Sequence, residues 1–414
     1  MEELFSKNVF TLKGQTWKNM RSILSPSFTS SKIRIMFTAI SRNAKLFAQN
    51  FLKGKEEIIE VEFKDAFTRI TNDVIANITL GIEVDSFHDK ENEFYMMGKE
   101  VHNFSSLWKR CKMLLIVCLP KIAALFRLSV FGEEMRFFEN LVKHSIKIRE
   151  ENDIRKVDML GLLIEARRNY LDQQSKNSKQ NSVAEVNENV NIKNTEEDLS
   201  DTAIASQVFS FFLASYEFTA KSMCFLIHEL AINPDIQNKL YQEFCENTTT
   251  TEDLDYETVL KMTYFDMVVT ETLRKWPVAA ATERVVTKPY TIQPETPEEH
   301  AVHLEAGLDV RIPILSFHRD PKYFKNPEKF DPERFSAENK KNIVPYTYLP
   351  FGVGPRNCIA NRFVLLEMKA ILYYLLMSFE VTTIEKTDIP LDLTKSNFQC
   401  MLENDFLLGL KRRI

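Results

Sequence analysis

The chain has 414 residues, 44% of them apolar, and a formal charge of −5. That apolar fraction excludes wholesale disorder, and a mild negative charge argues against a nucleic-acid binder, which normally concentrates basic residues on one face. Ten glycines against 31 phenylalanines leave few tight turns and favour long helices over a hairpin-rich all-β fold.

In chain order, the first 18 residues are polar and mixed, and they offer neither a signal peptide nor a membrane-spanning run. Apolar residues at three- and four-residue intervals predict helices over 44–52, 66–78 and 137–149. The most apolar stretch, 113–126, is interrupted by Pro120 and Lys121. It is too short to span a bilayer and reads as core or as a membrane-surface contact. Segment 171–200 lacks aromatic residues after Tyr170 and is rich in Asn, Gln, Ser, Lys and Glu, so a flexible polar loop is expected there. Residues 201–232 predict a long apolar helix that stops at Asn233-Pro234, with another helix to about 246 and a third over 264–276. Between 278 and 314 short alternating segments read as strands. Three prolines break 319–335, 361–379 is helical again, and 380–410 reads as short strands and turns. The fold class expected is mainly α with small β-sheets (α+β), in one domain over 1–414, because the motifs below lie on both sides of the polar loop.

The six cysteines, at 111, 118, 224, 245, 358 and 400, are sparse, with no CxxC pair and no clustered histidines at zinc spacing. They read as free thiols. One stands in an unusual frame. Segment 351–360 reads FGVGPRNCIA: Gly352, Gly354 and Pro355 make a constrained loop that lets backbone N–H groups approach the Cys358 sulfur, just before an apolar helix. A nearby helix N-terminus favours the thiolate. Two further patterns are Glu271 and Arg274 on one helix face, and Trp17 and Arg21 one turn apart.

Phe351, Gly354, Arg356 and Cys358, as FxxGxRxC, resemble the cysteine-ligand loop of the cytochrome P450 family, a highly specific signature. Glu271-Thr272-Leu273-Arg274 and Pro332-Glu333-Arg334-Phe335 resemble its Glu-x-x-Arg helix and the segment that completes that pair. Trp17 and Arg21 resemble its W-x-x-x-R helix. The resemblance implies haem b with Cys358 as axial metal ligand. It implies a cofactor-binding set of Trp17, Arg21, Arg284, Phe351, Gly352, Arg356, Cys358 and Ala360, and a structural cluster of Glu271, Arg274 and Arg334. Ala360 stands where the family usually has glycine. The fold implied is that of the family without its N-terminal anchor and first strands, starting near Phe5, and the surrounding segments are similar to insect microsomal detoxification members.

The family's oxygen-activation motif, [AG]-G-x-[DE]-T-[TS], corresponds to Ala214-Ser215-Tyr216-Glu217-Phe218-Thr219. Glu217 and Thr219 are the catalytic residues the resemblance implies. Phe218 replaces the threonine that helps deliver protons, and on a regular helix Thr219 would point about 100° away from that place. Efficient oxygenation is therefore open. Phe211, Phe212, Ala214, Ser215 and Phe218, with Val278, Ala279, Ala280 and Ala281, are expected to line a substrate pocket for a lipophilic small molecule. The implied activity is a monooxygenase drawing electrons from NADPH through NADPH–cytochrome P450 reductase, with cytochrome b5 as a further donor. The implied location is the cytosolic face of the endoplasmic reticulum membrane. No GxGxxG fingerprint is present, so the flavin or nicotinamide chemistry belongs to a partner. Lys369 is a candidate for docking an acidic partner. Two alternatives stand beside the monooxygenase: a haem-thiolate isomerase or dehydratase using peroxide substrates, and a truncated, non-enzymatic haem-binding product.

Overall fold

Helices of the predicted period form because each has one apolar stripe to bury. The computed structural model describes residues 3–54, 56–103, 107–119, 132–180, 199–248, 253–391 and 406–413. Helix Ser30–Phe51 buries Ile33, Met36, Phe37, Ile40, Ala44 and Phe47. Helix Phe63–Leu80 is capped by the Glu62 carboxylate, which accepts from the Lys64 and Asp65 N–H groups, and it ends at Gly81 with φ of 65°. The long apolar helix starts at Ser200, whose hydroxyl accepts from Ala203 N–H. It runs as Asp201–Ala214, a π-helical turn Ser215–Thr219, and Ala220–Ile232. Its last segment is buried on nearly every side, so it passes through the middle of the molecule and not along a surface. Around it pack Phe63–Leu80, Gly132–Glu151, Met159–Gln180, Thr263–Lys275 and Asn361–Ser378.

The β-structure is small. Strands β1 (Ile58–Glu62), β7 (Leu407–Arg412) and β6 (Phe379–Thr382) form one antiparallel sheet, in that order. Strands β2 (Thr282–Val285) and β5 (Asp309–Ile312) pair, with Arg284 opposite Val310, and β3 (Tyr290–Ile292) pairs with β4 (Val302–Leu304). The mainly helical class with small sheets is as expected from the sequence.

Two expectations change. The polar stretch from 171 is not loop throughout, because helix Met159–Gln180 runs ten residues into it. Its Leu, Gln and Lys are good helix formers and no Gly or Pro interrupts them. The rest of that expectation, 181–198, lies outside the described residues. Helix Leu107–Cys118 covers the start of the apolar strip and turns an apolar face outward: Leu107 is 76% and Trp108 68% exposed, with Leu114, Leu115 and Leu119 also exposed. Its Lys109 is tied back to Glu100 at 2.7 Å and Glu134 at 2.9 Å. Residues 120–126 of the strip, Pro120 and Lys121 included, lie outside the described residues. Among the described residues no helix is long and apolar enough to cross a membrane.

Candidate active site

A cavity of about 1540 Å³ lies between the long helix, the cysteine loop and β2. Ligand pockets usually measure about 300–1,000 Å³, so this one has room for a large planar group and a further molecule. Its floor is the segment 351–360. Gly352 and Gly354 sit at φ of 66° and 77°, conformations that side chains with a Cβ resist. The turn closes through Cys358 N–H to Phe351 O at 2.8 Å and Asn357 N–H to Gly354 O at 3.1 Å. Ala360 has φ of −101°, comfortable for any L-residue, so the missing glycine costs nothing in backbone strain. Burial pushes the Cys358 thiol up, while the Ala360 N–H and the Arg21 charge pull it back toward thiolate.

One rim of the cavity is cationic. Arg21 donates to Asn357 O at 2.8 Å and to Asn357 Oδ1 at 2.9 Å, which pins the W-x-x-x-R helix to the cysteine loop. Arg356 lies 4.2 Å over the Trp17 ring and donates to Leu12 O. Arg284, on β2, donates to Glu283 O and Thr282 Oγ1. Burial and its neighbours Arg284 and Arg21 hold Arg356 below the usual guanidinium range. Among the described residues none of the three has a carboxylate partner. Three mutually repelling guanidiniums suit an anionic group, and a dianionic planar ligand with a sulfur-seeking metal suits the rim and the floor together. The residues fit a haem.

The opposite wall is the long helix. Phe211, Ala214, Ser215, Glu217, Phe218 and Thr219 line it. Phe218 is 39% exposed, toward the cavity. Ser215–Thr219 is a π-helical turn, and Thr219 lines the cavity together with Phe218. The hydroxyls of Ser215 and Thr219 are buried on this wall without a hydrogen-bond partner. Glu217 is paired with Lys221 and stands 3.7 Å from His102.

Three sequence expectations are corrected. Phe212 is outside the cavity: it is buried against Phe94 at 5.1 Å and Phe138 at 4.5 Å, since it sits one residue off the i, i+3, i+4, i+7 face. Ala280 is also off the wall. Val278, Ala279 and Ala281 line the cavity around a bent stretch that leaves Ala280 out, and Ala280 O accepts from Leu315 N–H. Lys369 is no docking residue: it is 3% exposed and paired with Asp266 at 2.6 Å.

Behind the floor, Glu271 accepts from Arg274 Nε at 2.6 Å, Arg274 Nη2 at 2.8 Å and the Asp331 N–H at 2.9 Å, with Arg334 Nε 3.4 Å away. Arg274 also donates to His318 O and Pro327 O.

A family model described as Cytochrome P450 matches residues 3–407. The chain belongs to the cytochrome P450 family. It is 41% identical over 419 residues to Probable cytochrome P450 9f2 of Drosophila melanogaster, covering all of this chain and 77% of that protein. It is 39% identical over 429 residues to Cytochrome P450 9e2 of Blattella germanica, covering all of this chain and 78% of that one. It is 35% identical over 397 residues to Cytochrome P450 3A9 of Rattus norvegicus, with 95% and 73% covered. Membership implies a haem-dependent monooxygenase.

Sequence reasoning missed two histidines of this P450. His102 enters the cavity from helix Glu93–His102, and no motif marks it. His318 joins the Glu271 cluster to the floor: its Nδ1–H donates to Arg274 O at 3.1 Å and its Nε2 accepts from Leu349 N–H at 2.8 Å. Burial pushes its pKa down to about 4. A base with a depressed folded pKa binds more protons unfolded. Its contribution to stability is therefore complete above its ordinary value near 6.5 and is lost as pH falls from there toward 4. Between these limits the loss approaches about 1.4 kcal/mol per pH unit. Urea unfolding of parent and His318→Gln across that window should give a stability difference that changes with pH toward this slope, the titrating carboxyls common to both cancelling in the comparison.

Proposed function

We propose that this chain inserts one oxygen atom of O2 into a lipophilic small molecule, taking electrons from NADPH through NADPH–cytochrome P450 reductase, with cytochrome b5 as a further donor. The observation that carries the proposal is one cavity with a free cysteine on its floor, three guanidiniums on its rim and an apolar wall bearing a carboxylate and two free hydroxyls. When bound, haem b supplies the oxygen-activating redox chemistry. Cys358 would hold its iron through Sγ. Arg21, Arg284 and Arg356 would hold its carboxylates, with Trp17 stacked beneath Arg356, and Phe351, Gly352 and Ala360 would border it. Glu217 and Thr219, with Ser215, would hold and move protons on the opposite wall. Phe211, Ala214, Phe218, Val278, Ala279 and Ala281 would exclude water and select flat apolar substrates. The outward apolar face of Leu107–Cys118 supports contact with a membrane surface, and the reading places the enzyme on the cytosolic face of the endoplasmic reticulum membrane.

The test is spectral. The reduced carbon-monoxide complex should show the red-shifted Soret band of thiolate ligation, and Cys358→Ala should lose it. A retained band would sink the assignment of Cys358.

Phe218 supports a second reading, an isomerase or dehydratase that acts on peroxide substrates without a reductase, since an aromatic ring occupies the wall where the family's threonine works. Turnover of a lipid hydroperoxide without NADPH would favour it. Under the monooxygenase reading, Phe218→Thr restores one hydroxyl, and a general acid–base element is worth about 10²–10⁴ in the step it serves. Product formed per NADPH should rise in this variant. Equal coupling in parent and variant would mean that Ser215, Thr219 or water already supplies the protons.

A further inference from the structure

Helix Leu107–Cys118 carries two free cysteines, Cys111 and Cys118, and both are exposed. That is unusual, because a free cysteine is among the residue types most often buried, as Cys224 is here. Their placement is regular. At about 100° per residue, positions seven apart differ by only about 20°, so Cys111 and Cys118 share one line along the helix. Leu107, Leu114 and Leu115 fall within about 60° of that line, and all three are exposed. Met113 and Ile116, about 140–160° round, line the cavity instead. The cysteines therefore stand in the middle of the outward apolar face, on the side away from the cavity.

The charges of the helix suit a bilayer surface. It holds Lys109, Arg110 and Lys112 and no acid. Arg110 and Lys112 flank the cysteine line on opposite sides, about 80–120° from it, and Lys112 Nζ lies 5.4 Å from the Trp108 ring centre. Cations so placed meet anionic headgroups when the leucines enter the acyl layer. The two sulfurs cannot bond to each other. Seven residues of helix hold their Cα atoms about 10 Å apart, beyond the reach of a disulfide.

We propose that Cys111 and Cys118 are sites of S-acylation by a long-chain fatty acyl thioester, which fixes this helix to the membrane. The cysteine sulfur attacks the carbonyl carbon of the donor thioester. A new carbon–sulfur bond forms, the bond to the donor's sulfur breaks, and the donor leaves as a free thiol carrying the cysteine's proton. Nothing is oxidised or reduced. The proposal rests on the membrane contact read for this face. Two sites matter because one acyl chain binds a bilayer only reversibly, with an association constant on the order of 10⁴ M⁻¹. A second chain turns surface contact into a lasting anchor.

The test places the haem-loaded full chain on vesicles of phosphatidylcholine and phosphatidylserine, with palmitoyl-coenzyme A as donor. Intact mass should rise by one and then two palmitoyl groups, and hydroxylamine should remove both. Cys111→Ser and Cys118→Ser should each accept one group and the double variant none, all keeping the Soret band of the carbon-monoxide complex. Cys245→Ser, which removes an exposed thiol on another helix, should still accept two. In high salt the acylated parent should stay on the vesicles about a hundredfold more than the double variant, because salt screens the cations and leaves the acyl chains. An unmodified parent, or a palmitoyl group retained by the double variant, overturns the proposal. So does a third group that Cys245→Ser removes, since exposure alone would then direct the reaction. A dimer joined through these cysteines that a thiol reductant dissolves and hydroxylamine does not also overturns it. The double variant reports the contact separately. If it fails to float with the vesicles at low salt, the membrane reading falls, and the mass of the parent still decides the acylation.

Discussion

Glu271→Ala should destabilise the protein by about 3–5 kcal/mol, the usual result of removing one partner from a buried ion pair. Both Glu271 and Arg274 are fully buried. Without the carboxylate, Arg274 keeps its bonds to His318 O and Pro327 O but carries an uncompensated charge in the core. The Asp331 N–H loses its acceptor and Arg334 Nε loses its nearest anion. Burial pushes the Glu271 carboxyl up, and Arg274, Asp331 N–H and Arg334 oppose it. Those three groups favour the ionised form against burial. The damage should reach the cofactor floor through His318, which bonds Arg274 on one side and Leu349 on the other. Denaturant unfolding of the holoprotein, read by the carbon-monoxide band, measures both effects. Glu271→Asp, one methylene short of the two-pronged contact, should fall between. A Glu271→Ala protein as stable as the parent would mean that Arg274 is satisfied by carbonyls alone.

What the sequence revealed follows from where each residue's role is encoded. Cys358, Gly354 and Arg356 are legible together because the loop needs positive φ, a sulfur and a cation within a few residues. Glu271, Arg274 and Arg334 are legible through two short motifs, although they meet 60 residues apart, at Asp331 N–H. The helix stops at Asn233-Pro234 and Pro277 are local chemistry and could be read directly. The side of a backbone that faces the cavity was less legible. Phe212 and Ala280 fall one residue off the correct face, and only packing reveals that. The π-turn at Ser215–Thr219 has no sequence signature. Lys369 reads as surface by residue type, but its helix Asn361–Ser378 is covered on several sides, so the lysine is buried with Asp266. His102 and His318 act through contacts with helices far along the chain, and no spacing rule reaches them.

Glu367 is the least compensated charge-bearing group on that same helix. It is fully buried among apolar neighbours such as Phe363, Ala370 and Ile371, and neither carboxylate oxygen has a hydrogen-bond partner. Burial alone pushes its pKa well above the usual carboxylate range. Each orphaned buried polar group costs about 1–3 kcal/mol, so Glu367→Met, close in volume and without the oxygens, should stabilise the protein. Glu367→Gln separates the charge from the shape. An acid whose folded pKa is raised ionises first in the unfolded chain, so stability is lost as pH rises from the ordinary carboxylate pKa toward the folded one. The parent should therefore weaken relative to Glu367→Gln as pH increases, with a negligible charge-related gap below the ordinary carboxylate range. Buried pairs such as Lys369–Asp266 are common to both proteins and cancel in the comparison. Thermal unfolding of the two at acidic and at alkaline pH gives the result directly. A Tm difference that stays constant with pH would show that Glu367 is solvated or partnered, and that its burial costs nothing in ionisation.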